Sequence, residues 1–318
     1  MAKFDPIPTV GLNDFVALEK CDHDLQEMIM PIVATGDSQV FPLGTGFVIS
    51  HDGLLMTAKH VIEEHLAGMA CNRESGDLYE VTGLYAMYIS KEVNSDNSNF
   101  GGLWPIQYAW YSKELDIAFC WLQKMFKNNK PYTFSKLISL SPGLPQVGQN
   151  IMGFGYHKSK SDNFLEINPQ KASFEYKHEP CFTSGRVKTI YHVKRDSFNL
   201  NFPCFETDAR FAPGMSGGPI FDGATGGVCG VICSSFSGDE ADGYISYVSM
   251  IWPALGTSIQ VASEDDPVPK DLLIYDLCKQ GYIKTDASIE DIEVIVGENN
   301  TRTIKIKNNL PSIQSSSC

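Results

Sequence analysis

The sequence predicts an all-β fold. From Met28 to about Trp252 the chain is a succession of short β-rich runs, separated by clusters of Gly, Asn, Asp and Ser. That stretch, about 225 residues long, is the length of two small barrels packed together. Many short strands with turn residues between them belong to a sandwich or a barrel.

The runs in chain order are Met28–Val33, Thr45–Ser50, Gly53–Ala58, Val81–Ser90, Asp116–Leu122, Asn150–Tyr156, Gly185–Val193, Phe198–Phe202, Gly226–Ser235 and Gly243–Ser249. Before them, residues 1–27 form an N-terminal extension. Within it Asn13 to Glu27 is expected as an amphipathic helix, with Phe15, Leu18 and Leu25 as a partial apolar stripe. The barrel region spans 28–255, and residues 256–318 make a C-terminal appendage. There Ser263–Pro269 has the charge and prolines of a linker. Asp271 to Gly281 reads as a short helix with Leu273 and Leu277 on one face and Gly281 as its stop. Ile292–Val296 and Arg302–Lys307 read as a hairpin, and Asn308–Cys318 as a frayed tail. No internal repeat is visible.

Composition excludes several function classes. With 43% hydrophobic and 20% charged residues the chain buries a core, so it is neither disordered nor fibrous. A net charge of −13 argues against nucleic acid or an anionic membrane surface as a partner. No apolar run approaches the ~20 residues that span a bilayer. The first residues, MAKFDPIPTVGL, lack the apolar core of a secretory leader. Nine scattered cysteines, an odd number, do not form a disulfide framework. The expected location is therefore the cytoplasm, and the Asn299–Thr301 sequon carries no meaning there.

Three segments carry chemistry. In GTGFVIS followed by GLLMTAKHV, His60 comes just after a strand. In LDIAFCWL, Asp116 sits inside an apolar strand, where an unpaired carboxylate costs several kcal/mol. In ETDARFAPGMSGGPIFD, Ser216 lies in a turn between glycines. Each alone has an ordinary reading: a solvated histidine, a capping aspartate, a plain loop. Together they are the parts of a nucleophilic site. A serine hydroxyl needs a base to take its proton and a carboxylate to orient that base. It also needs backbone N–H groups aimed at an oxyanion, hence a tight turn, which Gly214, Gly217 and Gly218 permit.

The order His60, Asp116, Ser216 resembles that of the chymotrypsin-like serine peptidases. TAKHV, the Asp-Ile-Ala of LDIAFCWL and TDARFAPGMSGGP are similar to the corresponding family segments, the last to the HtrA-like branch without its PDZ domain. GQNIMGFGY resembles the strand that opens the second barrel, and GGVCGVICSS the strand lining the specificity pocket. The resemblance implies two packed six-stranded antiparallel β-barrels with Ser216 as nucleophile, His60 as base and Asp116 as its orienting carboxylate. It implies an oxyanion hole from the N–H groups of Gly214 and Ser216. It also implies a substrate-binding role for Ser234 and, six residues before Ser216, for Arg210 near the pocket floor, where a cation would favour an acidic side chain before the cut. Where zymogen-type relatives carry an aspartate that pairs with a freed N-terminus, this chain has Met215, so that ion pair is not expected to activate it. Val61 replaces the family's cysteine after the histidine.

Other candidates are weaker. Cys229 and Cys233 share a strand face but lack a second ligand pair, so no zinc site is expected. Cys120 reads as core. Asp239, Glu240 and Asp242 read as a solvated acidic loop rather than a calcium site. GFGYH lacks the Lys and Ser/Thr of a P-loop. No cofactor and no metal is expected. The expected partner is a protein or peptide substrate, with room for an activating partner or ligand. The expected function is a serine endopeptidase, with a regulated intracellular effector protease, held inactive until a partner or ligand signals, as one form of it; the alternative is a catalytically silent binding module on the same barrels.

Overall fold

The computed structural model describes residues 15–17, 24–36, 39–67, 69, 71–72, 78–93, 99–127, 130–168, 171–237, 244–261, 270–297, 302–307 and 313–314. Twelve strands in this set close into two six-stranded antiparallel barrels. The first holds β1 (Ile29–Gly36), β2 (Gln39–Val48), β3 (Leu54–Thr57), β4 (Leu84–Val93), β5 (Asn99–Tyr111) and β6 (Ala118–Leu122). Around the ring the order is β1-β2-β3-β6-β5-β4, and β4 returns to β1. The second holds β7 (Asn150–Asn168), β8 (Lys171–Tyr191), β9 (Cys204–Thr207), β10 (Pro219–Asp222), β11 (Val228–Ser237) and β12 (Tyr244–Met250). Its order is β7-β8-β9-β12-β11-β10, closing on β7. The chain thus runs the same circuit twice, although no sequence repeat announces it. Closure leaves little open sheet edge.

Each barrel is filled by its own large side chains. Ile29, Ile32, Phe47, Leu55 and Phe119 are fully buried in the first, and Phe154, Phe182, Phe205, Ile220 and Val248 in the second. Phe154 meets Phe182 edge to face at 4.9 Å, a favoured aromatic geometry. The barrels are joined by polar bonds as well as packing. Tyr156 on β7 donates its hydroxyl to the Ile29 carbonyl on β1 at 2.6 Å, and its N–H to the Thr45 hydroxyl on β2 at 3.2 Å. Beyond Tyr156, β7 and β8 continue as a long hairpin. A bulge between His157 and Lys160, with Lys158 at a left-handed φ of 48°, marks its base.

The segment after Leu255 straps across both barrels. Ser258–Val261 pairs with Lys270–Leu273, which leads into α2 (Ile274–Lys279). Tyr282 donates to Asp52 at 2.7 Å, and Trp121 on β6 donates to the Gln260 carbonyl at 3.3 Å. On the other side Leu140 bridges both Thr285 and Val228 of β11. The helix is shorter than the expected 271–281, because Lys270–Leu273 is taken up as a strand. The hairpin of Ile292–Val296 and Arg302–Ile306 forms as expected. Within the tail, Ile313–Gln314 adds a third strand to it.

Two local expectations need correction. Phe15–Ala17, expected in a helix, is a strand paired with Cys181–Thr183 of β8, and among the described residues of that expected helix only Asp24–Glu27 is helical, as a single 3-10 turn. The side of β8 away from β7 offers unpaired backbone groups there, and pairing with them outweighs a weak helical stripe. Phe198–Phe202, expected as a strand, is a turn: the Asp196 carboxylate accepts the N–H groups of Phe198, Asn199 and Leu200. A side chain that captures three successive donors prevents ladder pairing. These bonds also hold the Asp196 carboxyl below the usual carboxylate range. The strand of that region is Cys204–Thr207 instead. Asp239, Glu240, Asp242 and the 299–301 sequon lie outside the described residues.

Candidate active site

His60 is the second residue of α1 (Lys59–Leu66), which starts two residues after β3 ends. The neighbouring Val61 and Ile62 are buried, so the helix packs against the barrel and His60 stays exposed beside it. Asp116 lies two residues before β6 and is only 4% exposed. A buried carboxylate must be bonded to stay charged. Asp116 accepts the His60 backbone N–H at 3.0 Å and the His60 ring Nδ1 at 2.8 Å. Since a carboxylate only accepts, Nδ1 carries the proton, and in the neutral ring Nε2 is left as the acceptor. Partial shielding of the ring disfavours the charged imidazole. The hydrogen bond and charge of Asp116 outweigh that, so the His60 pKa is raised above 6.5.

Ser216 sits at the other barrel's edge, in the turn before β10. Gly214 and Gly217 have φ of 94° and 85°. A Cβ on Gly214 would lie 2.5 Å from the Tyr156 carbonyl, and one on Gly217 would collide with the Thr45 carbonyl. Both positions therefore require glycine. Thr45 of β2 grips this turn twice: its hydroxyl donates to the Gly214 carbonyl at 2.9 Å, and its N–H to the Ser216 carbonyl at 2.8 Å. Met215 is fully buried against Gly155, and its sulfur accepts the Ala212 N–H at 3.4 Å. An apolar side chain thus occupies the place next to the serine. Among the described residues, the N–H groups of Gly214 and Ser216 have no acceptor.

Cys233 on β11 joins the two halves. Its carbonyl accepts the Ser216 hydroxyl at 3.2 Å. Its thiol lies with the His60 ring and the Asp116 carboxylate, ligand atoms all within 4.8 Å of one another. Burial first, and the Asp116 charge second, hold that thiol protonated. A protonated thiol beside a histidine and a carboxylate already bonded to each other is a weak ligand set for a metal.

A model of the trypsin-like peptidase domain matches residues 44–231. The chain belongs to the trypsin-like peptidase family. The matched span runs from the residue before Thr45 to β11 and contains His60, Asp116 and Ser216. Among solved structures similar to this trypsin-like chain is Deg5, at 17% identity and TM-score 0.41, covering 71% of this chain and 84% of that one. The MamO protease domain from Magnetospirillum magneticum is similar at 12% identity and TM-score 0.43, covering 72% and 94%. The HtrA-type protease AlgW with a decapeptide is similar at 14% identity and TM-score 0.40, covering 90% and 78%. No curated protein matches the sequence.

Of the expected site residues, His60, Asp116, Ser216 and Gly214 converge. Ser234 follows Cys233 on β11, half-buried, opposite Tyr247. Arg210 is not a buried pocket floor. It is exposed, with its guanidinium 4.9 Å from the centre of the Phe15 ring. The N-terminal strand reaches the loop that carries it, which sequence spacing alone does not reveal. Sequence reasoning also missed Thr45 and Cys233. Thr45 stood in a quoted motif, GTGF, but its role depends on a partner 169 residues away.

Proposed function

We propose that this family member is an active serine endopeptidase acting on protein or peptide substrates. Ser216 Oγ attacks the scissile carbonyl carbon while its proton passes to Nε2 of His60. Asp116 holds the ring in the required tautomer and stabilises the imidazolium. The oxyanion is taken by the N–H groups of Gly214 and Ser216. His60 then returns the proton to the leaving amine, and water, activated by the same ring, hydrolyses the acyl-serine. The observation that carries this reading is the pair of N–H groups at Gly214 and Ser216 with no acceptor among the described residues, beside a His60–Asp116 pair bonded at 2.8 Å and linked to Ser216 through Cys233.

In the resting arrangement the Ser216 hydroxyl points to the Cys233 carbonyl, so catalysis requires a side-chain rotation toward His60. Sites without substrate often tighten only in the complex. That same bond favours the second reading, a silent binding module. A fluorophosphonate probe separates them: covalent labelling at Ser216 supports the peptidase, and no labelling with a native fold supports the silent module. Six described cysteines are buried free thiols, which supports a reducing, cytoplasmic setting. With Met215 in the core, activity is expected without N-terminal processing, and any regulation falls to a partner or ligand.

A further inference from the structure

His157 follows Tyr156 on β7, at the bulge where the hairpin leaves the barrel. Bulges re-aim side chains, and here the imidazole reaches the oxyanion loop. Its Nδ1 lies 3.4 Å from the Pro213 carbonyl. A carbonyl only accepts, so Nδ1 is the donor. The Pro213–Gly214 peptide is planar and trans, as no cis bond occurs. Its carbonyl and its N–H therefore point to opposite sides. Fixing the carbonyl on the His157 side turns the Gly214 N–H to the other side, where it has no acceptor among the described residues. Rotating this peptide would turn the donor away and present an oxygen to the oxyanion. Thr45 holds the next carbonyl, that of Gly214, but leaves the Pro213 carbonyl alone.

The ring of His157 is itself braced. Phe15 of the N-terminal strand meets it edge to face at 5.7 Å. The same Phe15 ring carries the Arg210 guanidinium, at the start of the loop that ends in Ser216. One aromatic side chain thus touches both the latch and the entry of the loop.

We propose that His157 is a positioning residue of the oxyanion hole, latching the Pro213 carbonyl so that the Gly214 N–H faces the substrate, and that the Phe15–Ala17 strand sets the latch through Phe15. The proposal rests on the peptidase reading for its catalytic consequence, but the latch itself does not need turnover to be seen.

The test compares His157→Phe, which keeps a ring against Phe15 and removes the donor, with His157→Asn, which keeps a donor. Losing one oxyanion donor outright costs about 100- to 1,000-fold in kcat. A latch acting through the peptide is expected to cost less, so His157→Phe lowers kcat about tenfold with KM within about twofold. His157→Asn recovers most of the loss. Phe15→Ala gives a smaller loss of the same kind. In parallel, amide hydrogen exchange over residues 210–216 rises in His157→Phe, and rises equally when Ser216→Ala has removed all turnover. Wild-type kcat with unchanged exchange in His157→Phe overturns the proposal. So does a His157→Asn variant as poor as His157→Phe, because the donor would then be irrelevant. If the wild type shows no Ser216-dependent turnover, the peptidase reading fails, and exchange alone decides the latch: no rise in His157→Phe rejects it.

Discussion

The two barrels share one circuit of strands but hold their halves of the site differently. In the first barrel, His60 stands at the start of a helix and Asp116 just before a strand, both anchored by buried neighbours and by bonds to each other. In the second, Ser216 and Gly214 lie in a glycine turn held from both sides: by Thr45 of the first barrel, and by His157 and β11 of its own. The acid–base pair is set by one barrel's own packing, whereas the oxyanion turn is set where the barrels meet. Substitutions at Ser216, His60 or Asp116 should therefore act on chemistry, and substitutions at the supports of the turn on geometry.

The largest effect is expected at Ser216. Ser216→Ala should abolish phosphonate labelling and lower kcat by about 10⁶, the scale of losing a nucleophile from a triad. It should leave thermal unfolding nearly unchanged, since only one half-exposed hydroxyl is lost. Turnover near that of the wild type would remove the mechanism altogether.

Asp116→Asn comes next. It keeps the shape but favours the wrong imidazole tautomer, a change worth roughly 10⁴ in kcat in such triads. It also carries a pH signature. The wild-type base must be neutral, and its pKa is raised, so activity should fall on acidification with a midpoint above 6.5. Removing Asp116 deletes the two largest raising influences and leaves burial, which lowers the pKa. The residual activity should therefore titrate at a lower pH than the wild type. A midpoint that does not move would mean that His60 is not the titrating base.

Thr45→Val tests the other side of the comparison. It keeps volume but removes the bonds to Gly214 and Tyr156. Leaving buried partners unsatisfied costs about 1–3 kcal/mol, and because the turn loosens, kcat should fall by about tenfold, less than the about 100- to 1,000-fold of losing one oxyanion donor outright. Thr45→Ser should restore it. If Thr45→Val lowered stability alone, with kcat intact, the turn would be ordered without the first barrel.

These contrasts follow how much the sequence revealed. His60, Asp116 and Ser216 were legible because each sits in a local motif whose residue types the chemistry dictates. The two-barrel fold was legible through short runs and turn residues. Thr45 was not, because its grip on the turn is a contact between distant segments that no spacing encodes. Phe15 was read as helical because its stripe was local, while the unpaired side of β8 that captures it lies far along the chain. Phe198–Phe202 failed for the opposite reason: its composition suits a strand, but Asp196 just before it claims the backbone donors. Arg210 was placed by family spacing, and in the structure it is exposed with its guanidinium over the Phe15 ring.

The smallest expected effect concerns the C-terminal strap, and it sharpens the comparison from outside the site. Tyr282 is shielded and donates to Asp52, in the turn between β2 and β3, at 2.7 Å. Its phenol is held protonated first by burial and then by that carboxylate. Tyr282→Phe keeps the ring in place and removes only this bond. Hydrogen bonds are worth about 1 kcal/mol on average, and the exposed Asp52 can turn to water, so the loss belongs at or below that figure. For a chain of this size it corresponds to a Tm lower by about 2 °C. The strap's other ties, Trp121 to Gln260 and Leu140 to Thr285, remain. Neither Asp52 nor Tyr282 touches the oxyanion turn or the His60–Asp116 pair, so kcat and its pH midpoint should stay at the wild-type values. A Tyr282→Phe variant with normal Tm but reduced kcat would show that the strap tunes the site through β3 and α1. The first barrel's half would then depend on outside support as much as the second's does.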